Sequence, residues 1–382
     1  MARPRRIQQI VVPENPKFPS PASPSFTFID LFAGIGGFRL AMQANNGRCV
    51  FSSEFNDKAQ ATYAHNFGEI PYGDITLQST KEAIPQHFDV LCGGFPCQAF
   101  SIAGKRLGFE DTRGTLFFDV ADILRSRRPK AFLLENVKNL VSHDEGRTFK
   151  VIMNTLTEDL GYSVAYKVMS PHRYADVPQN RERVFIVGFD PKQVPQSSID
   201  SFKFPNPIRL TKTVPDCLTS VPPDSSLHYT PKSKIYPVLK ESVLDPTTVY
   251  QWRRSYVREN HSGLCPTLTA VMGTGGHNVP IVLSPTGIRK LSPKDCLNFQ
   301  GYPAEYEFPP TVPVRSRYTQ AGNSVAVPLV TRIAANLIKT ILGNGDSATT
   351  PTVPQLPHPD VEPTEETQID SPSDTPVQDM LF

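Results

Sequence analysis

Apolar residues first gather at Thr27-Phe28-Ile29-Asp30-Leu31-Phe32, and the run stops at a cluster of glycines. A short, nearly continuous apolar run bounded by glycine is the pattern of a strand buried on both faces. A helical stretch from 36 to about 45 follows. The same alternation then recurs, with strands expected at 49–55, 88–92, 131–134, 163–168 and 183–189, and helices at 57–66, 114–125 and 147–159. Strands alternating with helices predict a mostly parallel sheet covered on both faces, a doubly wound α/β domain. After Asp190 the rhythm fails. Residues 191 to about 290 are rich in Pro, Ser and Thr, with strand-like pieces such as 278–283, and predict a smaller, irregular second domain. Apolar positions at helical spacing over 324–342 predict a helix that packs back on the first domain.

Composition separates the two ends from this core. The chain has 38 prolines in 382 residues, too many for ordered elements alone, and six of them fall at 4, 13, 16, 19, 21 and 24. Residues 1–24 therefore read as a disordered leader and 343–382, rich in Pro, Thr, Asp and Glu, as a disordered tail. That leaves 25–191 for the α/β domain, 192–290 for the second domain and 291–342 for the returning part. All 39 Lys and Arg, but only 29 of the 37 acidic residues, precede the tail, so residues 1–342 carry a formal charge of +10, which suits a polyanion partner. The six cysteines have neither zinc-site pairing nor disulfide density, and the eight histidines lack ligand spacing. We expect no metal, a reduced cytoplasmic setting near the nucleoid, a monomer, and no membrane association.

Two loops carry candidate chemistry. Asp30-Leu31-Phe32-Ala33-Gly34-Ile35-Gly36-Gly37 joins the first strand to the first helix, where an open α/β sheet binds nucleotide-like ligands. Glu54 ends the second strand, placed to accept hydrogen bonds from ribose hydroxyls, and Asp74 could address an adenine amino group. This spacing does not separate a nicotinamide dinucleotide from S-adenosylmethionine, although the loop lacks the Gly-x-Gly-x-x-Gly order. In the second loop, Gly93-Gly94-Phe95-Pro96-Cys97-Gln98 places a cysteine just beyond a buried strand on the same edge, with the exposure a reactive thiol needs. Cys92, inside that strand, reads as packing. Phe132-Leu133-Leu134-Glu135 ends another apolar strand with a carboxylate on that edge, so a second chemical group converges on Cys97.

Five segments in this order resemble the motifs of the DNA cytosine-5 methyltransferases. They are Phe28-Ile29-Asp30-Leu31-Phe32-Ala33-Gly34, Gly94-Phe95-Pro96-Cys97-Gln98, Glu135-Asn136-Val137, Gln179-Asn180-Arg181-Glu182-Arg183 and Gln320-Ala321-Gly322-Asn323-Ser324-Val325. Residues 104–116 also resemble the bacterial HhaI-type enzymes. The ordered matches span roughly 26–191 and 289–342, and the middle is matched loosely around Cys265-Pro266-Thr267-Leu268-Thr269. The resemblance implies a Rossmann-like S-adenosylmethionine-dependent domain with an inserted target-recognition domain. Its implied reaction is methyl transfer from S-adenosylmethionine, leaving S-adenosylhomocysteine, to carbon 5 of cytosine in a short sequence of double-stranded DNA, as in host protection by restriction-modification.

Residue roles follow from the same resemblance. Cys97 is the nucleophile for carbon 6 of a flipped-out base, Glu135 the donor to N3, Arg183 the partner of the base carbonyl and of Glu135, and Arg181 a neighbour grouped with them. Cofactor contacts would come from Asp30, Phe32, Ala33, Gly34, Ile35, Gly36 and Gly37, from Glu54, Phe55, Asp74 and Ile75, and from Pro96, Leu116, Asn323, Ser324 and Val325. Gln98 and Ser101 would meet DNA near the target, Lys105 and Arg106 lie on a glycine-flanked loop suited to closing over it, and Thr267 would contact a phosphate. In the second domain, Gln251-Trp252-Arg253-Arg254-Ser255-Tyr256 mixes arginines with aromatics, which marks Arg253 and Arg254 as DNA contacts. Trp252 could equally be core. The last five residues, Gln378-Asp379-Met380-Leu381-Phe382, look like a short motif for docking on a replication sliding clamp. A tRNA cytosine-5 methyltransferase and a non-catalytic DNA-binding homologue are the alternatives.

Overall fold

The computed structural model describes residues 10–96, 116–219, 224–274 and 276–343. A six-stranded sheet holds the larger part together. Along the chain, strand β1 (Phe26–Leu31) leads through helix α1 (Gly37–Gln43) to β2 (Gly47–Ser53), and α2 (Asp57–Phe67) leads on towards β3 (Val90–Gly94). Helix α3 (Leu116–Arg127), β4 (Ala131–Val137), α4 (Arg147–Asn154), β5 (Ser163–Met169) and β6 (Arg183–Phe189) complete it. The strand order is β2-β1-β3-β4-β6-β5. Strands β1 to β4 pair in parallel, while β6 runs antiparallel between β4 and β5. The mostly parallel sheet is thus as predicted, with one reversed strand that apolar periodicity could not reveal.

Both faces of this sheet are covered. Phe28, Cys92, Leu133 and Val187 face a core closed by α1 and the C-terminal helix, whereas Ile29, Leu91, Leu134 and Ile186 face one closed by α3 and α4. Local signals set the helix ends: the Asn56 side chain accepts the Lys58 and Ala59 amides at the start of α2, and Gly68 ends it at φ 72°.

A second, four-stranded sheet follows, built from β7 (Tyr250–Arg253), β8 (Tyr256–Glu259), β9 (Ile281–Ser284) and β10 (Gly287–Lys290) in the order β10-β9-β7-β8, all antiparallel. Its own core is small, with Tyr229, Leu239, Val243, Tyr250, Ile281 and Ile288 buried and Trp252 half-buried against them. The chain then returns through α5 (Val314–Asn323) and α6 (Val327–Leu342). The helix expected over 324–342 forms over 327–342, starting three residues later because Ser324 is extended at ψ 172° and Pro328 sits at the start of α6. Although residues 314–342 match a membrane span in length and hydropathy, 56% of that apolar window is buried in the protein, the state of a core element.

Three further expectations change. Residues 10–24, expected as disordered leader, lie along the folded body: the Phe18 amide donates to Asn66, and Lys17 pairs with Glu307 at 2.6 Å. Strands β3 and β4 run past the predicted ends to Gly94 and Val137, so Glu135 lies within β4, paired with Gly94, and not at its terminus. Residues 191–290 carry their own sheet, yet all described residues belong to one contact unit.

Candidate active site

A cleft of about 890 Å³ opens where β1, β3 and β4 end, beside the N-terminal part of α2 and one side of α5. This is the edge at which connections from β1 and β3 depart in opposite directions, the usual ligand crevice of an open α/β sheet. On its floor the loop after β1 turns through Phe32 and Gly34, at φ 54° and 55°. Phe32 is a bulky residue in a backbone region that favours glycine, and such strain persists where surroundings impose it. Glu54 imposes part of it: one carboxylate oxygen accepts the Gly34 amide and the other the Asn56 amide, both at 2.8 Å. Burial pushes the Glu54 carboxyl upward from the usual range, opposed by those backbone donors. A Cβ at Gly34 would meet nothing closer than the Phe32 carbonyl at 3.8 Å, so it would project into open cleft. The Phe55 ring at the rim is 75% exposed.

At the other end, Glu135 and Arg183 form an ion pair at 2.9 Å. The reversed direction of β6 makes this possible: its first residue, Arg183, stands beside Val137 at the end of β4. Burial raises the Glu135 pKa, and the Arg183 and Arg181 charges oppose that rise. Asn136, next in β4, donates to the Phe95 carbonyl at 2.8 Å and so ties the carboxylate-bearing strand to the segment leading into Pro96. The result is a buried carboxyl group held by a cation, in the same cleft as the Gly34–Glu54 turn.

A family model for C-5 cytosine-specific DNA methylases matches residues 26–339. The chain belongs to this family. It is 46% identical over 316 residues to the type II methyltransferase M.Bsp6I of Bacillus sp. (strain RFL6), covering 82% of this chain and 98% of that protein. It is 45% identical to the type II methyltransferase M.HpaII of Haemophilus parainfluenzae over 84% of this chain and 90% of that one. Its fold is similar to that of the S. pombe Dnmt2 methyltransferase, with a TM-score of 0.60 at 18% identity over 83% of this chain and 98% of the other. The methylase is a DNA (cytosine-5-)-methyltransferase, with DNA as substrate and the S-adenosylmethionine use that its family implies.

The cleft of this methylase gathers most of the residues singled out from sequence: Phe32, Ala33, Gly34, Ile35, Gly37, Glu54, Phe55, Asp74, Ile75, Pro96, Leu116, Asn323, Ser324 and Val325, together with Glu135, Arg181 and Arg183. Two expected cofactor residues do not line it. Asp30 is fully buried, because alternation along β1 turns it to the same inner face as Phe28; burial pushes its pKa up to about 8, against the opposing charge and backbone amide of Arg39. Gly36 faces the ring of Phe67, 2.2 Å from where its Cβ would stand, so the glycine serves packing. Arg181 is committed to backbone, donating to Leu268, Gly322 and Ser324 at 2.7, 3.0 and 2.6 Å. Desolvation and the neighbouring Arg183 depress its pKa to about 9. It fastens three chain segments together and makes no hydrogen bond to Glu135.

Thr267 donates its hydroxyl to the Asn180 carbonyl at 2.7 Å. Arg253 and Arg254 are exposed at the β7–β8 turn, Arg254 at φ 53°. Cys97, Gln98, Ser101, Lys105, Arg106 and the terminal Gln378–Phe382 motif lie outside the described residues. Sequence reasoning gave no role to Asn136, nor to Lys58, Arg315 and Thr319 at the cleft margin. Asn136 had a signal, its place directly after Glu135; the others became visible only when α2 and α5 met.

Proposed function

We propose that the enzyme methylates cytosine within a short sequence of double-stranded DNA through a covalent adduct of Cys97, protecting host DNA in a restriction-modification system. The observation that carries this reading is the Glu135–Arg183 pair at 2.9 Å in the cleft that also holds the Gly34–Glu54 clasp. Gly34, Glu54, Phe55 and Asp74 would hold S-adenosylmethionine. The space beside Gly34, the hydrogen-bonding carboxylate and the exposed Phe55 ring fit a ligand with hydroxyls and a flat base. When bound, the cofactor supplies an electrophilic methyl group.

The chain's own residues prepare the base to receive it. Duplex stacking hides carbon 6, so the cytosine is turned out of the helix at a cost of a few kcal/mol. The Cys97 thiolate adds to carbon 6, and Glu135, whose pKa burial raises, gives a proton to N3 as charge develops on the ring. Arg183 orients Glu135 and meets the base carbonyl. After carbon 5 has gained the methyl group and given its proton to water, the Cys97–carbon 6 bond breaks and N3 returns its proton to Glu135. The four-stranded sheet, with Arg253 and Arg254 at its exposed turn, reads the DNA sequence. A duplex carrying 5-fluorocytosine tests the adduct, since fluorine cannot leave as a proton does. We expect a methylated protein–DNA species by mass spectrometry with wild type and none with Cys97→Ser; its absence with active wild type overturns the covalent route.

A further inference from the structure

Residues 10–24 lie N-terminal to the family match at 26–339, yet they touch the elements that shape the cofactor loop. The Phe18 ring packs against Phe67 and Tyr306, with centroids 6.1 and 5.8 Å away. Both neighbours reach the loop directly. The Phe67 ring fills the space beside Gly36, and the buried Tyr306 hydroxyl donates to the Ile35 carbonyl. Other contacts hold Phe18 in place: its amide donates to Asn66 at 3.0 Å, Gln43 of α1 donates to the Pro19 carbonyl at 2.9 Å, and Lys17 pairs with Glu307, next to Tyr306.

We infer that this N-terminal strap is a positioning device for the cofactor loop, with Phe18 the wedge that keeps Phe67 and Tyr306 seated against Ile35 and Gly36. The inference rests on the reading of the Gly34–Glu54 cleft as the S-adenosylmethionine site. A loop held in one strained conformation before binding loses less freedom on binding, so the wedge favours affinity without touching the ligand. Replacing Phe18 by a smaller residue lets both rings relax away from the loop.

Calorimetric titration of the full chain with S-adenosylmethionine and S-adenosylhomocysteine tests this. Phe18→Ala should weaken both by about tenfold and raise KM for S-adenosylmethionine, with kcat and KM for duplex DNA unchanged. Phe18→Leu should recover most of the affinity. Lys17→Glu sets like charges against Glu307 without opening a hole, and should weaken cofactor binding in the same direction. A purely structural strap would lower the melting temperature of these variants and leave the affinity of the folded protein at the wild-type value, which overturns the inference. Glu54→Ala is the control: wild-type affinity there overturns the cofactor reading and the inference with it, whereas loss there with unchanged Phe18→Ala and Lys17→Glu overturns the inference alone.

Discussion

The central strands of the six-stranded sheet are buried almost from end to end, whereas each strand of the four-stranded sheet is four residues long and its β7–β8 hairpin leaves positions open to solvent. A sheet packed on both faces cannot shift one strand without disturbing two cores, which suits a site where an ion pair must hold its geometry. A small sheet with a thin core keeps its hairpin side chains in solvent, where they can meet a partner of variable outline. The proposed chemistry thus falls in the region packed on both faces, and the proposed recognition in the more open one.

The strongest test of this division is Cys97→Ser, which should bring methyl transfer to background while duplex binding by mobility shift stays near wild type; an active variant would break it. Glu135→Gln should lower kcat by about 10²–10⁴-fold, the usual span for loss of a positioned acid. Because burial raises the Glu135 pKa and activity needs the protonated form, the rate should fall as pH rises through that value. Arg183→Ala removes a charge that holds the pKa down, so in its pH–rate profile the falling limb should move to higher pH although the maximum drops. A limb that stays in place would detach Arg183 from Glu135.

Glu54→Ala removes hydrogen bonds made by a charged acceptor, each worth about 1.5–3 kcal/mol, and should weaken S-adenosylmethionine binding by tenfold or more with duplex affinity retained. The smallest effect belongs to the open sheet. Arg253→Ala and Arg254→Ala should each weaken duplex binding, lessen the salt dependence of log K by about one unit, and leave cofactor affinity unchanged. Loss of methyl transfer from a bound complex in either variant would show that the two regions are not separable.

The larger region was also the more legible. Its apolar runs, glycine turns and the order of Phe32–Gly34, Glu135 and Arg183 are local patterns, and they placed β6 at its observed bounds. The four-stranded sheet was legible only as a loss of rhythm and a strand-like piece at 278–283 that overlaps β9, because four-residue strands offer too few alternations to count. Trp252 was left undecided for the same reason, and it packs half-buried on that small core.

By itself the sequence determined the alternating architecture, the family motifs and the candidates for the reactive groups, all of which reside in short stretches of covalent neighbours. Only the tertiary structure decided that β6 is reversed and so brings Arg183 to Glu135, that Asp30 faces a core and not the cleft, that Arg181 is committed to backbone carbonyls, and that Phe18 packs on Phe67 and Tyr306. Each of these depends on segments far apart in the chain meeting in one place, and no local periodicity encodes which face or which direction will be chosen when both sides of a sheet are buried.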